Sequence, residues 1–406
     1  MQLSERIKNI KPSATMKTLS LAKSLRASGV DVINMGIGEP DFQTPNNIQK
    51  AAIESIQNGK ASFYTAASGL EPLKVAIKNH YQATFNLEYE VENIAVTTGA
   101  KMALYATFQA LLNPGDEVLL PNPYWVSYSE QIKLAGGVPI LVSVPDSGKL
   151  EVENFEQHLT AKTKLILLNS PQNPTCEIYH KDDLIKLGNW SVDHDLTIIS
   201  DEIYGELVYN GNQFTSMGNL GSRIKENTVI INGVSKTYSM TGWRIGIVLG
   251  DPQLIKSITA FVSHATGNPA TVSQYASVAA FTQGAKAAEL MRQEFETRLN
   301  LIYPKLIEIP GFDLPVKPHG AFYLFPNIEG ALKLTGLSNE AFVSGLLTDA
   351  HVAVVDGKAF GVAGHIRLSY ALSVDQLEEA MKRIKTFVET NSKRSNIGGK
   401  LSNETN

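Results

Sequence analysis

The chain has 406 residues, 43% hydrophobic and 19% charged, with a formal net charge of −4. That length allows more than one core in a globular protein, and the charge leaves no electrostatic footprint for nucleic acid or an anionic membrane. No apolar run reaches the roughly 18–20 residues of a membrane span, Met1 to Arg6 lack the apolar core of a secretory leader, and one cysteine, Cys176, excludes an internal disulfide framework and fits a reducing, cytoplasmic setting.

In chain order, residues 14–27 read as a helix. From about residue 49 to 299, short apolar runs alternate with amphipathic stretches. The predicted strands are 94–98, 117–121, 164–169, 196–200, 228–232 and 243–249, and the helices between them 101–112, 126–135 and 181–194. Such alternation is the pattern of an α/β sandwich around a mostly parallel sheet. A long helical stretch from near 286 to 303 follows, then strand-like runs at 321–325, 352–355 and 366–370 and helices at 339–349 and 374–390. Ser373 with Gln376 has the spacing of a capping box. Val374, Leu377, Ala380, Ile384 and Val388 fall on one helical face, as packing requires. Residues 391–406, rich in Asn, Ser, Lys and Gly, read as a disordered tail. The expected division is a large unit over 46–300 and a smaller α+β unit from 1–45 and 301–390.

In an open parallel sheet, ligands bind outside the carboxyl ends of the strands. Five predicted strands each run into a distinctive cluster there: Thr98-Gly99-Ala100-Lys101, Asn122-Pro123-Tyr124-Trp125, Ser170-Pro171-Gln172-Asn173-Pro174, Asp201-Glu202-Ile203-Tyr204 and Gly233-Val234-Ser235-Lys236. Singly, each has an ordinary structural reading: a turn, a core aromatic, a loop opener, a helix start, a solvated edge. Together, and in order, they assemble one chemistry. Lys236 follows the apolar run 228–232, and Arg244 stands eight positions after it. Desolvation and a like charge both disfavour the ammonium form, and a neutral lysine amine forms Schiff bases with carbonyls. A guanidinium suits a phosphate, and the aldehyde that carries a phosphate is pyridoxal 5′-phosphate (PLP). Its pyridine nitrogen needs a buried carboxylate to keep a proton, for which Asp201 is the candidate. Asn173 and Tyr204 supply donors to its phenolic oxygen, and Trp125 a stacking face. Gly99, Ala100, Lys101, Ser235 and Arg244 supply phosphate donors near a helix start.

Further motifs are Lys11-Pro12-Ser13-Ala14-Thr15, Gly38-Glu39-Pro40-Asp41-Phe42, Tyr64-Thr65-Ala66, Asn113-Pro114-Gly115-Asp116-Glu117, Met240-Thr241-Gly242-Trp243-Arg244-Ile245-Gly246 and Arg367-Leu368-Ser369-Tyr370-Ala371. With these the chain, from about Lys11 to Val388, resembles a class I PLP-dependent aminotransferase of the bacterial aspartate aminotransferase type, the branch that includes aspartate/prephenate aminotransferases. The resemblance implies that fold, with a mostly parallel seven-stranded sheet in the larger unit. It also implies that Lys236 holds the cofactor and shuttles the proton, and that Arg367 grips the substrate α-carboxylate with help from Gly38, alongside Trp125 and Asn173. Tyr64 would reach the phosphate of a neighbouring subunit, which makes the expected assembly a homodimer. Lys101 and the arm bearing Lys11 and Ser13 would meet a distal carboxylate. Aspartate or glutamate is then the expected amino donor and a 2-oxo acid the acceptor, by ping-pong kinetics. Cis bonds are expected at Asn122–Pro123 and Asn173–Pro174.

Two departures stand out. Cys176 occupies a position where the family usually has glycine, which costs energy if φ there is positive. The loop 264–269 lacks the expected Ser/Thr-rich character, which bears on substrate range. Aromatic or prephenate transamination, and a PLP-dependent β-lyase reaction, stay open on the same residues. A PLP-binding regulator would carry a DNA-binding module, and about ten residues precede Lys11. No G-x-G-x-x-G follows a strand, and the eight histidines show no H-E-x-x-H pairing, so neither a nicotinamide enzyme nor a metal hydrolase is expected.

Overall fold

The structure, a computed structural model, describes residues 2–8, 10, 14–145 and 148–403. Its twelve strands are β1 (Ile33–Asn34), β2 (Ile94–Thr97), β3 (Glu117–Asn122), β4 (Val138–Ser143), β5 (Thr163–Asn169), β6 (Thr197–Asp201), β7 (Thr228–Gly233), β8 (Gly246–Leu249), β9 (Tyr323–Leu324), β10 (Val352–Ala353), β11 (Val355–Asp356) and β12 (Ile366–Ser369). Seven of them form one sheet in the order β2-β8-β7-β6-β5-β3-β4. All its pairings are parallel except those of β8, which runs against both β2 and β7.

The strand sequences explain the layers. A strand buried on both faces reads as a continuous apolar run, as in β7, where every residue is buried. Alternate side chains then feed opposite cores. Ile230, Ile247 and Leu249 pack with helices Asn46–Gln57, Glu71–Phe85 and Thr271–Gln283. Val229, Ile231 and Val248 pack with Ala100–Leu111, Ser127–Leu134 and Pro252–Ala265. Each fully buried Val, Leu or Ile contributes about 1.5–3 kcal/mol. A separate core joins β9, β12 and helices Ala285–Ile307, Asn339–Thr348 and Val374–Asn403.

Several boundaries differ from the sequence reading. The strand expected at 243–249 starts only at Gly246, because Thr241–Trp243 is a tight turn and Arg244 sits at φ 55°. The edge strand β4 was not among the expected strands. Its Val138 and Leu141 are exposed, so it lacks a clean two-faced pattern. The final helix continues to Asn403 rather than stopping near Thr390 before a disordered tail. Within it, Asn391 Nδ2 donates to the Phe387 carbonyl at 2.9 Å. At its start, the Gln376 amide donates to Ser373 Oγ at 3.4 Å, but the Gln376 side chain accepts from the same hydroxyl, so only half of the capping box forms. No described helix is long and apolar enough to cross a membrane.

Candidate active site

The carboxyl ends of β2, β3, β5, β6 and β7 share one edge. Because β8 is antiparallel, its amino end, preceded by Arg244, arrives at the same edge. A cavity of about 330 Å³ opens there. It is lined by Gly38, Ala100, Lys101, Trp125, Asn173, Asp201, Tyr204, Ser235, Lys236, Arg244 and Arg367 from the sequence-predicted set. Gly99 stands just behind the lining, against Arg244. Tyr64 is outside the cavity, on the surface and 97% exposed. Lys11 and Ser13 lie outside the described residues.

Lys236 follows the buried end of β7. Its Nζ donates to the Gly38 carbonyl at 2.5 Å and lies 5.7 Å from the Phe322 ring centre. Desolvation, with help from the Arg367 and Arg244 guanidiniums, pushes its ammonium down to about 8, while Glu39 and Asp201 oppose the fall. At that value about a tenth of the amine is neutral at pH 7, far more than for an ordinary lysine.

Asp201 closes β6 and is buried. Its Oδ2 accepts from the Tyr128 hydroxyl at 2.7 Å and its Oδ1 from the Ile203 amide at 3.2 Å. Burial nevertheless raises its carboxyl to about 6, the two hydrogen bonds and Lys236 pulling the other way. Such a carboxylate gains from a positive partner at the cavity floor. The Tyr204 and Tyr323 hydroxyls bond each other at 2.8 Å.

Arg367, on β12, is 3% exposed. Its Nη1 donates to Asn173 Oδ1 at 2.9 Å and its Nη2 to the Gly36 carbonyl at 3.0 Å. The guanidinium carbon lies 4.4 Å from the Tyr323 ring centre and 4.8 Å from that of Phe360. Its Nε has no partner among the described residues. A buried guanidinium N–H without a partner is costly, and an incoming carboxylate would relieve that cost.

Gly99 has φ 84°, and a Cβ there would fall 2.3 Å from Arg244 Nη2. A Cβ on Gly246 would fall 2.3 Å from the Ala100 nitrogen. Both glycines therefore let the start of helix Ala100–Leu111 approach the arginine closely. Arg244 is exposed, and its Nη1 donates to the Thr241 carbonyl at 2.9 Å. Lys101 Nζ lies 5.0 Å from the Trp125 ring centre. Partial burial and the neighbouring Arg244 hold its ammonium below the usual lysine range.

These observations meet what PLP requires: a lysine with lowered basicity, a buried carboxylate, an aromatic wall and a glycine-cleared helix start beside an arginine. Lys236 could hold the aldehyde, Asp201 the ring nitrogen, and Gly99 to Lys101 with Ser235 and Arg244 the phosphate.

A family model for aminotransferase class I and II matches residues 30–384. The chain belongs to the class I and II aminotransferases. It is 48% identical over 391 residues to the asparagine–oxo-acid transaminase of Streptococcus mutans, covering 96% of this chain and 99% of that one. It is also 48% identical over 395 residues to the aspartate aminotransferase of Bacillus subtilis, covering 97% and 100%. Among solved structures, the aspartate aminotransferase of Rhizobium meliloti superposes with a TM-score of 0.91 at 37% identity, covering 96% of this chain and 99% of that chain. This aminotransferase is thus a PLP-dependent enzyme with amino-acid and 2-oxo-acid substrates, working by the ping-pong route general in its family.

Tyr128, Tyr323, Glu39 and Thr241 also line the cavity of this aminotransferase, although no role is predicted for them from the sequence. Tyr128, three residues beyond Trp125, could have been found as a helix-start residue on the Trp125 side. Tyr323 carried no local signal, since it meets Tyr204 across 119 residues. The bonds at Asn122–Pro123 and Asn173–Pro174 are cis, as expected, and so is Ser170–Pro171. Cys176 has φ 65° and is fully buried. It takes the left-handed conformation that costs a non-glycine residue roughly 1–2 kcal/mol. Burial also pushes its thiol well above the usual range, which makes it inert packing rather than a nucleophile.

Proposed function

We propose that this aminotransferase takes the amino group of an acidic L-amino acid, aspartate or glutamate, and passes it to a 2-oxo acid. The observation that carries this reading is the charge of the cavity. Lys101, Lys236, Arg244 and Arg367 face Asp201 and Glu39 across it, an excess of cations suited to a phosphate and a dicarboxylate together. The name of the Bacillus relative supports it.

When bound, PLP supplies an electron sink that stabilises negative charge at the substrate Cα. The protein does the rest. Arg367 takes the α-carboxylate as a paired, charge-assisted contact, with Asn173 already fastened to one of its nitrogens. The Lys236 amine removes the Cα proton as a base and, as an acid of matched strength, gives it up at a second carbon rather than back to Cα. Asp201 holds a positive donor at the cavity floor, and the Tyr204 hydroxyl orients the polar edge beside it. Trp125 would cover one face of the cofactor and exclude water. Gly99 to Lys101, Ser235 and Arg244 would hold its phosphate. Lys101, with Lys11 and Ser13 on the N-terminal arm, meets the distal carboxylate.

The enzyme is proposed to act in the cytoplasm as a homodimer built from a large unit over 46–300 and a smaller one from 1–45 and 301–390. The exposed pair Phe63 and Tyr64, 75% and 97% exposed, supports a partner surface there. The closed two-fold dimer is the commonest assembly.

The Streptococcus relative favours a second reading in which asparagine is the donor. A screen of aspartate, glutamate, asparagine, phenylalanine and tyrosine against 2-oxoglutarate and oxaloacetate separates the readings. The acidic donors should show the highest kcat/KM. A clear lead for asparagine or the aromatic donors would overturn the acidic assignment, and pyruvate and ammonia formed without an acceptor would point to a β-lyase.

A further inference from the structure

The segment after β1 crosses the lysine loop and is sewn to it. Besides the bond from Lys236 Nζ to the Gly38 carbonyl, Thr241 Oγ1 donates to Glu39 Oε2 at 3.0 Å. Thr44 Oγ1 donates to the Ser239 carbonyl at 2.8 Å and accepts from Trp243 Nε1 at 2.9 Å. The Ser239 hydroxyl donates to the Phe42 carbonyl. Arg298 anchors Asp41 at 2.7 Å.

Glu39 is the member of this seam that brings a charge into the cavity. It is exposed, and it follows directly the residue whose carbonyl holds the lysine head. A solvated carboxylate on one surface hydrogen bond adds little to stability, so its fixed placement calls for another reason. The charged groups that line the cavity with Lys236 and act on it are Glu39 and Asp201 on one side and Arg367 and Arg244 on the other. Asp201 is already engaged by Tyr128 and the Ile203 amide, whereas Glu39 has one oxygen on Thr241. Thr241 is in turn held through its carbonyl by Arg244.

We infer that Glu39 is a positioning residue of this aminotransferase: braced by Thr241, its carboxylate holds positive charge on the Lys236 nitrogen and ties the 38–44 segment to the lysine loop. This rests on the reading of Lys236 as the cofactor-bearing residue. Removing the carboxylate withdraws a favourable neighbour from the charged nitrogen, so the nitrogen should lose its proton at lower pH.

The test is a spectroscopic pH titration of the purified holoenzyme, following the visible absorbance of the bound cofactor. In Glu39→Gln the midpoint should fall by about half a pH unit or more, and the acidic limb of kcat/KM should move the same way. Glu39→Asp, which keeps the charge, should recover most of the shift. Thr241→Val, which keeps the carboxylate but removes its brace, should move the midpoint in the same direction by less. Lys236→Ala serves as the reference. If that variant abolishes the titrating band while Glu39→Gln titrates as wild type, the role of Glu39 is overturned alone. A titrating band that survives Lys236→Ala overturns the reading of Lys236, and the role of Glu39 with it.

Discussion

Two cavities of nearly equal size sit on either side of the loops that carry Trp125 and Asn173. The first, about 330 Å³, is the candidate active site. The second, about 350 Å³, is lined by Asn122, Gln172, Glu177, Tyr179, Asp313, Phe325 and His365 among others. Volume does not distinguish them, and each holds one buried polar atom without a partner among the described residues, Arg367 Nε in the first and Asn122 Oδ1 in the second; charge does distinguish them. In the second, no lysine or arginine is among the lining residues, Glu177 is satisfied by His319 at 3.0 Å and the His365 ring stacks on Phe325 with centres 4.9 Å apart. In the first, four cations converge, Asp201 is buried at a raised pKa, and Arg367 keeps a buried N–H without a partner. A site prepared for a charged ligand gathers cations, and the second cavity has none in its lining.

The sharpest way to break this contrast is Lys236→Ala. It should reduce kcat by at least about a thousandfold, since both the anchoring amine and the proton carrier go. A steady-state assay retaining a tenth of the wild-type rate would undo the assignment. Arg367→Ala should come next, lowering kcat/KM by roughly a hundredfold or more through loss of a charge-assisted carboxylate contact. The loss should be shared by all amino acids, because the α-carboxylate is common to them.

Asp201→Asn separates function from stability. Activity should fall at least about a hundredfold, yet the cofactor-free protein should become more stable at alkaline pH. The folded carboxyl titrates at about 6 against 3.8 when unperturbed. Stability from its protonated form is therefore complete below about pH 4 and is lost as pH rises through 6. Asparagine carries no charge to bury, so urea denaturation at about pH 8 should show a gain on the order of 2–3 kcal/mol, vanishing near pH 4. Equal stability of the two proteins at about pH 8 would show that burial does not strain this carboxylate.

Gly99→Ala probes the boundary of the first cavity. The added methyl meets Arg244 and forces an unfavourable φ, so cofactor affinity should weaken about tenfold, read by equilibrium dialysis. The smallest effect belongs to the second cavity. His365→Ala should leave kcat/KM within about twofold of wild type. A larger drop would mean that the two cavities communicate and that the contrast is false.

Much of the first cavity could be read before folding. Trp125, Asn173, Asp201 and Lys236 each follow a strand whose apolar run is visible locally, and a parallel sheet brings such strand ends together. Arg367 was reached only through resemblance, because β12 is four residues long and belongs to another sheet. Glu39 and Thr241 lie 202 residues apart, and no local pattern announces that two loops will meet. The edge strand β4 escaped because one flank faces solvent and blurs its alternation. Cys176 is the converse: the sequence flagged the substitution, but only the backbone reveals that the residue occupies a glycine conformation.

The reversal of β8 has a consequence beyond sheet order. Gly233 and Gly246 face each other as the last paired residues of β7 and β8, so residues 234–245 leave and re-enter the sheet at one point. The amine and the guanidinium therefore travel as a single cassette, and their separation is set by one hairpin rather than by packing between distant parts of the chain. A one-residue slip of the β7–β8 pairing would exchange the side chains that feed the two cores and dismantle both positive centres together.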